Sequence, residues 1–196
     1  MNGTNFSAYG SRKSAGDYQN KNDGYVLNSR FNETDFGLSA GVNRGWGYSH
    51  LAVSNFDQHT GIIEGDRNDE GAFLLFPGSP LERVATSEDL KSKNILVPNQ
   101  RIRHFKLVTD NSFSIGKNRL SAVVGFQHNQ RQEFGDPEMP ESAEAWFDLK
   151  TITYNAGFHF KEKNEWTTTL GVSGMSQTNT NKGEEAIIPN YDLLDA

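Results

Sequence analysis

Cysteine is absent from the 196 residues, which excludes disulfide scaffolds, zinc–thiolate centres and cysteine nucleophiles. Apolar residues are scarce at 35%, and no apolar run approaches the ~20 residues of a membrane-spanning helix. The opening residues, MNGTNFSAYGSRKS, lack the apolar stretch of a signal peptide. Positive charge is short as well. The 19 Lys and Arg stand against 25 Asp and Glu, a net −6, so no nucleic-acid partner is expected, because phosphate binding needs clustered cations. No nucleophile–base pair stands out, and the sequence reads as a non-enzyme that asks for no cofactor.

Aromatics and glycine are plentiful: 13 Phe, 6 Tyr, 3 Trp and 19 Gly. Disordered chains are short of aromatics, so this mixture points to a β-rich, turn-rich, all-β fold. The pattern of single residues supports that. In residues 120–134, Leu120, Ala122, Val124 and Phe126 alternate with Ser121, Gly125, Gln127, Asn129, Arg131 and Glu133, broken only by Val123. Such period-two alternation makes a strand with one wet and one apolar face, longer than the usual five or six residues. Phe36, Leu38, Ala40 and Val42 repeat it, as do Phe105, Leu107 and Phe113, then Ile152, Tyr154, Ala156, Phe158 and Phe160, then Trp166, Leu170 and Val172; Leu51 and Val53 form a less regular pair.

Six strands are therefore expected, at 34–44, 47–58, 102–115, 119–134, 148–161 and 165–178, with a further strand end at Asn5–Tyr9. Short turns join them in pairs at 44–47, 116–119 and 162–165, and long polar loops at about 10–33, 59–100, 135–147 and from 179 separate the pairs. A soluble sandwich has no reason to sort its loops so. An outer-membrane barrel does, with short turns on one side and long loops on the other. Trp46, Tyr48, Phe113, Phe160 and Trp166 lie beside the short turns, where interfacial aromatics are expected. The fold expected is an antiparallel up-and-down transmembrane β-barrel segment. Six strands do not close a barrel, so residues 1–196 are expected to be an internal piece of one.

Three stretches carry a family resemblance: NSRFNETDFGLSAGVNRGWGYSHLAVSNFDQHTGIIEGDRNDEG at 28–71, PNQRIRHFKLVTDNSFSIGKNRLSAVVGFQHNQRQEFGD at 98–136, and IIPNYDLLDA at 187–196. Together they resemble the barrel of TonB-dependent receptors of the Bacteroidetes type, over most of residues 17–196. That resemblance implies a 22-stranded outer-membrane barrel plugged by an N-terminal domain. It implies import of a ferric siderophore, haem, cobalamin or oligosaccharide, with energy from a TonB–ExbB–ExbD complex. The plug, the TonB box and the terminal aromatic strand are expected to lie outside these residues. A ferric siderophore is the expected solute, and outer-membrane lipid and lipopolysaccharide the expected surroundings. The rivals are a porin-like or adhesin barrel without energy coupling and a soluble carbohydrate-binding sandwich.

For ligand contact the candidates are His104, Gln127, Asn129, Arg131 and Glu133, which share the polar face near the long loops. Arg131 could grip an anionic chelate through its donor fork, or pair with Glu133. Arg101 and Arg103 share the face of Phe105 and Leu107, and would meet lipopolysaccharide phosphates at the rim. The five histidines sit singly, without metal-ligand spacing. The acidic run Glu133 to Glu144 reads as a solvated loop. Gly125, Gly157 and Gly171 fall on the polar face, either relieving a bend or packing against a plug. In the longest loop, FLLFP (73–77) is either an exposed binding patch or a segment tucked against the mouth.

Overall fold

The computed structural model describes residues 3–161 and 166–196. The strands, in chain order, are β1 Gly3–Ala15, β2 Gln19–Asn20, β3 Gly24–Tyr25, β4 Phe31–Arg44, β5 Gly47–Gly61, β6 Leu74–Leu75 and β7 Arg83–Val84. After the short helix α1 (Ser87–Lys91) come β8 Asn99–Ile115, β9 Asn118–Phe134, β10 Ala145–His159, β11 Thr169–Asn181 and β12 Tyr191–Asp195. Eight of them form one antiparallel sheet in the order β1-β4-β5-β8-β9-β10-β11-β12, open at β1 and β12. Every sheet neighbour is the next long strand along the chain. The pairs β2–β3 and β6–β7 are separate two-stranded ribbons.

The alternation read from the sequence becomes the register. Leu38 stands opposite Ala8 and Val53, Val53 opposite Leu107, Leu107 opposite Phe126, and Phe126 opposite Ile152. All of these project to one face. Gly37, Ser54, Lys106, Gln127 and Thr151 run along the other. On β4 the polar face is the enclosed one: Glu33, Gly37 and Gly41 are buried, while Phe36 and Leu38 are each 45% exposed.

That polar face is tightly keyed between β1, β4 and β5. A Cβ on Gly37 would sit 2.3 Å from the Tyr9 ring, and one on Gly41 2.4 Å from the His50 ring. The missing side chains let the neighbouring rings lie flat on the sheet. The turn into β5 needs glycine too. Gly47 has φ 129°, and a Cβ there would meet the Ser112 carbonyl oxygen at 1.9 Å.

Several expectations are corrected. β1 is a full strand rather than an end at Asn5–Tyr9, and residues 191–195, expected to lie in a loop, pair with β11 as β12. Except for β9, which ends at Phe134 as expected, the long strands extend past their expected long-loop ends because polar cross-strand pairs such as Lys13–Glu33 and Thr60–Gln100 continue the ladder where apolar alternation stops. The second short turn holds two residues, Gly116 and Lys117, since Ile115 pairs with Asn118. The expected turn at 162–165 lies outside the described residues, and β11 begins at Thr169 rather than 165.

No second sheet stacks on the eight strands among the described residues. The buried apolar cluster lies instead in the long loops, where Leu27, Phe73 and Leu75 pack with Tyr25, Phe76, Ala85, Leu90 and Leu96. Loops 16–30 and 62–98 are thereby one folded body. Arg30, 1% exposed, donates from Nε to Asp17 at 3.0 Å and from Nη1 to the Asn94 carbonyl at 2.8 Å, and its Nη2 pairs with the second Asp17 oxygen. Asn28, equally buried and at φ 60°, places its amide nitrogen 2.8–3.2 Å from the carbonyls of Ile62, Leu96 and Pro98 and accepts from the Leu96 N–H. Asparagine tolerates this left-handed backbone better than other side chains do. Thr86 and Asp89 close a capping box on α1.

Candidate functional site

The candidate ligand wall is built on β8 and β9. Antiparallel pairing sets His104 opposite Asn129 and Lys106 opposite Gln127, so the polar side chains form rungs across the sheet. Asn129 donates to His104 Nδ1 at 3.0 Å. Arg131 and Glu133 are successive polar-face residues of β9, and their side chains pair at 2.6 Å. Both are partly exposed, so the pair contributes only about 0–1 kcal/mol and leaves the guanidinium free to exchange partners. Gln127 faces Lys106 on one side and Thr151 on the other, and Gln177 donates to Thr151 at 3.0 Å. The five predicted residues therefore share one face as a strip of wall rather than a closed pocket. Lys106 belongs to the same strip. The parity that marked His104 also marks it, two residues on.

The polar face continues toward the short turns. Tyr48, expected among the interfacial aromatics, points to this face: Gly47 pairs with Phe113, so Tyr48 is one residue out of phase and donates to Asp110 at 3.2 Å. Trp46 and Phe113 do lie together, stacked at 5.6 Å. Phe160 packs edge-on against Phe158 at 5.0 Å, and Trp166 is 78% exposed. Gly125 and Gly157 sit under cross-strand side chains, with Thr153 Oγ1 2.8 Å and Ser121 Oγ 3.2 Å from where a Cβ would be.

At the rim of the apolar face, Arg101 donates twice to Asp57, at 2.9 and 2.6 Å. Arg103 stands 3.8 Å from the same carboxylate, and its Nε is buried without a hydrogen-bond partner. Two strands along, Asp148 takes His128 at 2.5 Å and pairs with Lys182, which lies over the Trp146 ring. His59 meets Asn99 at 2.8 Å and His159 meets Ser121 at 2.8 Å, whereas His50 lies 5.0 Å from the Tyr48 ring with its Nε2 buried and without a hydrogen-bond partner.

The loop body adds a cleft that sequence reading missed. About 310 Å³ in volume, it is lined by Tyr18, Tyr25 and Phe73 with Asp23, Glu64 and Arg67. Arg67 lies 3.6 Å over the Phe73 ring and donates to the Gly71 and Asp23 carbonyls at 2.7 and 2.9 Å. Burial, assisted by Asp66, raises the Glu64 pKa. Aromatic faces beside a carboxylate suit a polar ligand with one apolar side, such as a sugar ring or an aromatic chelator. FLLFP is not an exposed patch: Phe73 and Leu75 are the centre of this body, 8% and 1% exposed. Its signal was the apolar run itself, which cannot tell burial from display.

The arrangement offers binding surfaces: a polar strip, a loop cleft and a charged rim. Compared with protein-family models, curated proteins and solved structures, the chain matches none.

Proposed function

We propose that this chain is part of the wall of an outer-membrane β-barrel of the TonB-dependent receptor type, importing a scarce solute, a ferric siderophore. The apolar face is the lipid side and the polar face the lumen. The observation that carries the reading is an eight-stranded sheet on whose apolar face nothing packs among the described residues.

Water does not tolerate such a face, which needs a second layer or lipid. The accessible area supports the same reading: 12581 Å² is exposed, where a compact soluble chain of this mass exposes about 9,300 Å². The polar strip around His104, Gln127, Asn129 and Arg131, with Lys106, presents several donors to an oxygen-rich anionic chelate inside.

The test is to fractionate source cells and blot with an antibody to residues 62–98. A heat-modifiable outer-membrane band larger than 21.9 kDa, with siderophore uptake lost when TonB is deleted, is expected. A soluble band at 21.9 kDa would sink the membrane assignment. An outer-membrane band whose uptake ignores TonB would leave a passive barrel.

A further inference from the structure

We infer that the loop body carries a binding site for a small organic ammonium cation, a cleft walled by Tyr18, Asp23 and Tyr25 on one side and Glu64, Arg67 and Phe73 on the other. This goes beyond the solute import proposed above. Residues 16–30 and 62–98 make the cleft by themselves, so the inference stands whichever medium the sheet faces. The two walls are tied together before any ligand arrives. Arg67 donates to the Asp23 carbonyl at 2.9 Å, and the Glu64 N–H donates to the Leu27 carbonyl at 3.2 Å. Such preorganisation lowers the ordering cost of binding.

Charge narrows the ligand. Aromatic walls alone admit a sugar ring or an aromatic chelator. The two walls, residues 18–25 and 63–73, carry Asp23, Glu64, Asp66, Asp69 and Glu70 against Lys21 and Arg67. An anionic chelator is repelled from such a cleft. Asp23 accepts from the Asn20 amide at 2.8 Å, and among the described residues neither its carboxylate nor that of Glu64 has an ion-pair partner. Arg67 does not serve them, because its two Nη groups are given to the Gly71 and Asp23 carbonyls. Burial, with Asp66 adding to it, raises the Glu64 pKa, the mark of a carboxylate short of positive charge. A sugar needs donors as well as acceptors, and the charged side chains lining the cleft leave chiefly acceptors free.

The rings supply the rest. Arg67 lies 3.6 Å over the Phe73 ring, so this wall already takes a cation on an aromatic face. Tyr18 and Tyr25 have neither a cation nor another ring stacked on them among the described residues, and Tyr18 is 54% exposed. An alkylammonium between them sets its methyl or methylene groups on the ring faces and its charge beside Asp23 and Glu64. At about 310 Å³ the cleft is at the small end of ligand pockets and suits a compact solute.

The experiment titrates the full chain, purified from source cells in mild detergent, with choline by calorimetry. Saturable binding in the millimolar range is expected, with glucose and salicylate giving none. Y18L should weaken choline binding about 5-fold and E64Q about 10-fold, whereas Y18F keeps the ring and should bind like the parent. Protease resistance of residues 62–98 shows that each variant keeps its loop body folded. Undiminished choline binding by both folded variants, Y18L and E64Q, would overturn the site, as would the absence of saturable binding to the parent. Glucose or salicylate bound in place of choline would overturn the cation. A lysine peptide bound more tightly than choline would reassign the cation to a partner's side chain and overturn the small solute. None of these outcomes touches the membrane reading, which cell fractionation tests separately.

Discussion

Replacing Leu38 with arginine separates a lipid-facing sheet from a water-facing one. Leu38 lies mid-band, between Ala8 and Val53, and is 45% exposed. Were water its neighbour, Leu38→Arg would change stability by about 0.5 kcal/mol or less, like other surface substitutions. In a bilayer the arginine costs about 2–4 kcal/mol near the midplane. The open share of the leucine adds about 1 kcal/mol of lost apolar contact. Thr34, on the same face of β4 but two rows beyond Phe36's neighbour Leu38, is past the band. Thr34→Arg should cost only about 0–1 kcal/mol near the interface. The assay is denaturant unfolding of both variants in lipid vesicles, followed by heat-modifiability. The reasoning requires a gap of about 2 kcal/mol or more between the two positions. Equal stabilities would refute it, whatever their absolute value.

Three other predictions concern the loops and the polar face. Arg30→Met leaves Asp17 buried without its cation, so the loop body should lose about 3–5 kcal/mol, seen as faster proteolysis within 62–98 while the sheet stays intact. Gly37→Ala drives a Cβ into Tyr9 and should destabilise by about 1–3 kcal/mol; adding Tyr9→Ala should recover part of that in a double-mutant cycle. Acidification should act in two stages. The raised folded pKa of Glu64, from burial and then Asp66, means that stability is gained as pH falls through it. Asp89 is held well below the usual carboxylate range by Arg83 and Thr86, so its stabilisation is full above the unfolded pKa and is lost only below pH about 4. Hydrogen exchange from pH 7 to 3, in residues 62–66 for Glu64 and 83–92 for Asp89, checks the sign of each.

The sheet was legible because its signal is local. Phe36–Val42 and Leu120–Phe126 name both the strand and its face with no outside information. What escaped was set by partners distant in sequence. Tyr191–Asp195 alternates too briefly to be told from a loop until β11 supplies a ladder. Arg30 and Asp17 show no pattern on their own; their pairing follows from how two loops meet. Tyr48 failed by one residue of phase, since nearness to a turn does not state which face a side chain takes. The strip at His104, Gln127, Asn129, Arg131 and Glu133 was readable as a face, whereas the Tyr18–Glu64 cleft needed the loops to be folded.

The neighbour-only order of the sheet also bears on how such a wall assembles. Because each long strand pairs with the next one along the chain, a growing sheet can lengthen one hairpin at a time. It exposes the same two edges at every stage, however many strands it holds. The penalty for unpaired backbone in lipid is then fixed, while the apolar area given to the bilayer rises with each hairpin. Under the membrane reading proposed above, insertion would be uphill for the first strands and more favourable with every addition, so the earliest hairpins would need the most help.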